Sequence, residues 1–262
     1  MNRVIRAELM RLVRRRTIVI TVSAALAFAV VATLALFASA KTSGPIVSRG
    51  PVTLARLASD RGGTSAFAIG SSFVGFFVFV TFIALMASEF SGGTFRALLL
   101  RSPSRMRLMI GKLIATMMVA AVTVALAEVF SFGVSLLLAP GKDIDTSVWF
   151  SVAGLRGGLA DFVTVLAGVA GWAIFGTTLA IIFRSTPLAL GVGFAWAGPF
   201  ENIVSQSWST GLRVFPGQVL GALIRGGTAD LGLQRAVITG IAYTAVAATA
   251  ALVLLTRRDV TS

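Results

Sequence analysis

The chain has 262 residues, 56% hydrophobic and only 13% charged, with a mean hydropathy of +0.90. That composition excludes a water-soluble globule, and several uncharged runs exceed the ~18 residues at which a segment reads as a membrane span. Twenty-three Lys and Arg against ten Asp and Glu give a net charge of +13, and because the charges lie between apolar runs they point to membrane topology rather than to nucleic acid.

Residues 2–16 form the first predicted element, an amphipathic helix at the membrane surface. Ile5, Leu9, Leu12 and Val13 share one face, while Arg3, Arg11, Arg14 and Arg15 gather on the other with Glu8. It serves either as a topology anchor or as a lever touching a cytoplasmic partner. The apolar run 17–40 follows and ends in Ala38-Ser39-Ala40, which resembles a signal-peptidase site. Signal-peptide cores are usually about 7–15 residues, so the longer run reads as an uncleaved first span. Further spans are predicted at 65–88, 113–138 with Glu128 inside, 162–183, 188–204 with Glu201 near its end, and 236–256. The expected fold is an all-α integral membrane protein, a single six-span domain over residues 1–262.

Six spans put both termini on one side. Fourteen Lys and Arg flank the spans on that side against nine on the other, where the loops are longer and mixed with acids, so the termini are expected in the cytoplasm of a plasma-membrane protein.

The connector 89–112 is structured. Gly92 and Gly93 should end the second span, Thr94 can cap a short helix, and Ser102-Pro103-Ser104 should stop that helix before another runs into the third span. The short helix carries Phe95, Leu98 and Leu99 beside Arg96 and Arg101, an apolar stripe with a basic flank suited to docking or to anionic lipid. Glu89 precedes it at the membrane boundary. A carboxylate there needs water or a basic partner, and Arg6, Arg11 and Arg14 are the candidates, the alternative being a lone snorkelling side chain.

These residues resemble the permease subunits of type 2 ATP-binding-cassette exporters. In that family a Glu ending the second span is followed by Gly-Thr, leucines, Pro-Ser-Arg and a Lys, as Glu89, Gly93-Thr94, Leu98-Leu99, Pro103-Ser104-Arg105 and Lys112 are here. The basic helix before span one and the six-span layout also match. The resemblance implies that residues 94–101 are a coupling helix on a separate ATPase subunit, with Thr94, Phe95, Arg96, Leu98, Leu99, Arg101, Pro103 and Arg105 at the contact, and that residues 2–16 are the connecting helix beside it. It further implies a second permease copy or paralogue, with the pathway between the halves, and ATP with Mg on the partner. No Gly-x-x-x-x-Gly-Lys-Ser/Thr phosphate loop occurs, so this chain is not expected to bind a cofactor or to be an enzyme.

Glu128 lies past the middle of its span, where an ionised side chain costs at least ~2.5–3.5 kcal/mol. It reads either as a polar or proton-carrying point in the pathway or as a neutral interhelical hydrogen bond. Span five is irregular, with Pro187, Gly191, Gly193 and Gly198, then Pro199-Phe200-Glu201 near the outer leaflet, which marks close packing or a helix ending early in a cavity. By resemblance, spans two and five line the pathway, which makes Phe73, Phe77, Trp196, Phe200, Glu128 and Glu201 its candidates, although Phe is ordinary lipid-facing material. Residues 205–235 are expected outside, with Val219, Leu220, Leu223 and Ile224 on one face of a helix that dips back or rests on lipid.

Three functions compete: a permease driven by a partner ATPase, exporting a drug-like, lipid or amphipathic compound, with a resistance or sensing role as a variant; an ATP-independent secondary transporter or channel using Glu128 and Glu201; and an intramembrane enzyme. The absence of Cys and His removes thiolate and imidazole chemistry, and no predicted span holds Lys or Asp in its interior, which disfavours the enzyme.

Overall fold

The computed structural model describes residues 2–40, 52–93 and 104–257, and every regular element among them is helical. Helix α1 (Asn2–Leu12) is followed by α2 (Arg15–Ser39), the single turn α3 (Leu54–Leu57), α4 (Ser65–Ser91) and α5 (Arg105–Leu138). Two 3₁₀ turns, Ala139–Lys142 and Ser147–Phe150, lead to α6 (Val152–Phe183), then α7 (Thr186–Ala195), a π-helical turn (Trp196–Phe200) and α8 (Glu201–Ser207). The one-turn α9 (Gly211–Val214), α10 (Pro216–Ile224) and α11 (Leu233–Arg257) complete the described chain. Five of these, α2, α4, α5 with its trailing turn, α6 and α11, are long and apolar enough to cross a membrane. The protein is therefore an all-helical, multi-pass membrane protein.

Helix boundaries follow local chemistry. Arg14 is extended (φ −94°, ψ 149°), so the predicted helix 2–16 stops at Leu12 and a two-residue break at Val13-Arg14 turns the chain into α2. At the end of α4, Gly92 closes the helix and Gly93 takes φ +68°, a left-handed conformation that glycine adopts without strain. Ser104 opens α5 by accepting the backbone N–H of Arg107 at 3.4 Å, and Ser151 opens α6 by accepting that of Gly154 at 3.1 Å.

The structure departs from the sequence reading in two spans. The fourth begins at Val152 rather than 162, which carries Asp161 into the helix. The fifth, predicted as one span over 188–204, is helical from 186 to 207 but bulged in the middle. Pro199 has no N–H to donate to the preceding turn, and the backbone responds with the π turn 196–200.

Helix α6 is the hub. Of its apolar window 61% is buried, against 11 to 33% for the other four long helices. Lipid tails are as apolar as leucine, so such helices associate through close packing, which small residues permit. A Cβ on Gly176 would lie 3.0 Å from the Phe79 carbonyl of α4. On Gly168 and Gly171 it would meet Ile224 at 2.2 Å and Leu220 at 2.6 Å. Helix α10 thus sinks into the bundle: Val219, Leu220, Leu223 and Ile224 are all buried against α4, α6 and α11 and do not rest on lipid. A smaller core at the same end joins Leu36, Phe37, Leu57, Ala139, Ile144 and Trp149, with the Trp149 indole donating to the Leu57 carbonyl at 3.0 Å.

Candidate functional site

Two groups of charged residues stand out, one at each end of the bundle. At the end that holds α1, Glu89 is the focus. Its Oε1 accepts Arg11 Nη1 at 2.7 Å and Lys112 Nζ at 3.0 Å, and Lys112 Nζ also donates to Glu8 Oε1 at 2.9 Å. Arg11 stands 3.6 Å from Glu8 as well. Two acids and two bases cancel, which permits their burial: Lys112 is 4% and Glu89 8% exposed, whereas Arg11 is 55% exposed. The hydrogen bond that Arg11 donates to Glu89 raises the guanidinium above its ordinary range.

The local folds that bring these groups together are plain. Glu8 and Arg11 share a face of α1 at i, i+3 spacing. Glu89 sits in the last turn of α4, and Lys112 lies two turns into α5. Helix α1 rests on α5 where Gly111 leaves room, since a Cβ there would lie 2.7 Å from Val4. A cavity of about 70 Å³ opens beside the cluster, bordered by Glu8, Arg11, Glu89, Lys112 and Thr116. The cluster thus ties α1 to both helices that flank residues 94–103. At the same end the Ser91 and Thr186 hydroxyls lie 2.9 Å apart, linking α4 to α7.

Of the three arginines named as partners for Glu89, Arg11 reaches it; Arg6 and Arg14 are exposed and make no ion pair among the described residues. Lys112 and Glu8 were missed as cluster members. Arg105 starts α5. Thr94, Phe95, Arg96, Leu98, Leu99, Arg101 and Pro103 lie outside the described residues, and with them the expected coupling helix.

At the opposite end, Glu201 is 1% exposed directly after the π turn. Its Oε1 accepts the Gly217 N–H and its Oε2 the Gln218 N–H, both at 3.2 Å, so the carboxylate caps the positive N-terminus of α10. The Trp196 side chain bonds to it as well. Trp196 stacks on Phe200 at 4.7 Å, and Phe215 meets the rings of Trp196, Phe200 and Trp208 edge-on. Nearby, Arg61 pairs with buried Asp161, which also accepts the Thr64 hydroxyl at 2.6 Å. This is a charged group inside α6 that the sequence reading did not place in a span.

Glu128 is half-buried on α5, facing α6: its Oε1 is 3.6 Å from a Cβ built on Gly158, and it has no hydrogen-bond partner among the described residues. Phe73 and Phe77 are 71% and 52% exposed and meet edge-on at 5.4 Å. Phe76 links Phe77 to Phe194 of α7, so α4 and α7 present a joint aromatic face. No ring contact joins Phe73 and Phe77 to Trp196 and Phe200 among the described residues.

No curated protein matches the chain. The family described as "Protein of unknown function (DUF2705)" matches residues 29–261, and the chain belongs to that family.

Proposed function

We propose that this protein is the membrane-spanning subunit of an ATP-driven exporter, with six crossings, both termini in the cytoplasm, and a separate ATPase seated on residues 94–101. The observation that carries this reading is the ion-pair cluster Glu8–Arg11–Glu89–Lys112, with Glu89 and Lys112 buried at its centre. It ties a surface helix to the two helices that flank the connector, so a push on the connector or on α1 moves α4 and α5 together. An engine outside the chain agrees with the missing phosphate loop. The exposed aromatic face of α4 and α7 suits a second permease, with an apolar or amphipathic substrate passing between the copies. In this scheme the bulged segment 186–207 is the fifth of the six crossings, about 33 Å long at 1.5 Å per residue. The energy comes from ATP and Mg on the partner, and this chain transmits it without catalysis.

Coupling is tested by Leu98→Asp and Arg96→Glu, each of which puts a charge of the wrong kind into the expected contact. Both should abolish co-purification of the ATPase and substrate-stimulated hydrolysis at normal expression; unchanged values in both sink the assignment. Orientation is tested separately. The chain has no cysteine, so Ser209→Cys should react with an impermeant maleimide from outside, and Ser104→Cys only after permeabilisation. External labelling at 104 would reverse the topology.

A second reading, an ATP-independent transporter, draws on the unpartnered carboxylate of Glu128. Glu201 does not help it, being engaged as a helix cap. Glu128→Gln should leave ATP-driven export within about twofold if the proposal holds, and should abolish a proton-driven flux if the second reading does.

A further inference from the structure

An apolar groove of about 390 Å³ runs along the outside of the bundle at the α1–α2 corner, and nothing in the charged cluster occupies it. Leu9 and Leu12 of α1, Ile18 and Val22 of α2, and Val119 and Val122 of α5 form its walls. Its size falls within the roughly 300–1,000 Å³ of small-molecule sites. Ile18 is 46% and Val122 61% exposed, so the groove opens sideways toward lipid. The Thr123 hydroxyl, which also borders the groove, is satisfied by the Val119 carbonyl at 2.9 Å, leaving an apolar lining.

A basic run adjoins the groove in the chain. Val13 and Thr17 border it, and between them in the chain stand Arg14, Arg15 and Arg16, all exposed and none in an ion pair among the described residues. Arg11, one turn earlier, is already engaged with Glu89. Positioning the chain does not require the corner to be concave, because flanking arginines orient a span from any exposed position. An apolar slot flanked in the chain by three exposed arginines suits an amphiphile with an anionic head.

We propose that this groove binds an anionic phospholipid of the leaflet in which α1 lies, one acyl chain against α2 and α5 and the phosphate against Arg14, Arg15 and Arg16. Planar guanidinium groups suit phosphate oxygens through paired charge-assisted hydrogen bonds. A lipid held there touches α1, α2 and α5 together, next to the Glu89 cluster, so it sets how firmly the surface helix stays docked. The proposal rests on α1 lying at the membrane surface and does not depend on ATP as the energy source.

The test is native mass spectrometry of the purified full chain titrated with phosphatidylglycerol or with phosphatidylcholine of the same acyl chains. The first bound lipid should favour phosphatidylglycerol by roughly tenfold. Arg14→Gln with Arg15→Gln and Arg16→Gln should bring that preference to within about twofold. Because those arginines also orient the chain, Val122→Trp is the second variant: it fills an exposed wall of the groove, leaves every charge in place, and should weaken binding of both lipids severalfold. Equal wild-type affinity for the two lipids, a preference that survives loss of the arginines, or unchanged binding in Val122→Trp would overturn the proposal. So would a disulfide between two copies of Val122→Cys in membranes, which would make the groove an interface between chains.

Discussion

Replacing Lys112 with Met is expected to lower the stability of the protein by about 3 kcal/mol, because breaking a buried ion pair by removing one partner leaves an uncompensated charge. Lys112 is almost fully buried and is the bridge between Glu8 and Glu89. Without it, Glu89 keeps Arg11 alone, and Glu8 keeps only the longer contact to Arg11 at 3.6 Å. Arg11→Gln should cost less than about 1 kcal/mol, since Arg11 is more than half exposed and water screens its pairing. The contrast is read from thermal unfolding in detergent of the two variants and of a charge exchange, Glu89→Lys with Lys112→Glu. The exchange should recover part of the loss. Equal, small effects for Lys112→Met and Arg11→Gln would mean that the cluster is a loose surface feature.

The second large effect is expected at Gly217. A Cβ there would lie 2.4 Å from Glu201 Oε2 and 3.0 Å from the Trp172 ring, so Gly217→Ala must push the carboxylate off the first turn of α10. Losing the cap and leaving Glu201 buried without its donors should cost about 2 kcal/mol. Glu201→Gln keeps one acceptor oxygen and should cost about half of that. Since Trp196 and Trp208 sit in the ring cluster around Phe215, displacement of α10 should also change the tryptophan emission. Wild-type stability and emission in Gly217→Ala would show that the cap does not form.

Features set by short-range chemistry were readable in advance. The glycine pair that ends α4, the serine that opens α5 and the apolar face of residues 216–224 depend on neighbours within a few positions, and all stand where the sequence puts them. Features set by distant partners were not. Lys112 reads as a boundary lysine before the span at 113: the sequence starts a helix after Ser104 and runs it into that span, but does not show which acids lie beside the lysine. The eight residues 105–112, about 12 Å of helix at 1.5 Å per residue, precede the predicted span, and Lys112 at their end lies inside, where Glu89 and Glu8 meet it. Asp161 is similar: a rule that ends a span at the first charge starts the fourth span after it, whereas Arg61 from a hundred residues earlier allows the aspartate into the helix. The break in the fifth span was visible as Pro199, but the carboxylate two residues later could not be assigned as the cap of α10 without the fold.

The proposed chain of transmission runs from an external ATPase through residues 94–101 and the Glu89 cluster to α4, and its first link is the one to test. A photo-crosslinking amino acid at Leu98, in the native membrane and without nucleotide, should capture a protein that carries a phosphate loop. A probe at exposed Ile241 of α11 should not. Capture of such an ATPase at position 98, and its loss in Arg96→Glu, is the predicted result. If position 98 yields only lipid adducts, or no nucleotide-binding protein, while the chain is folded and present at normal levels, then the protein is not the permease of an ATP-driven exporter.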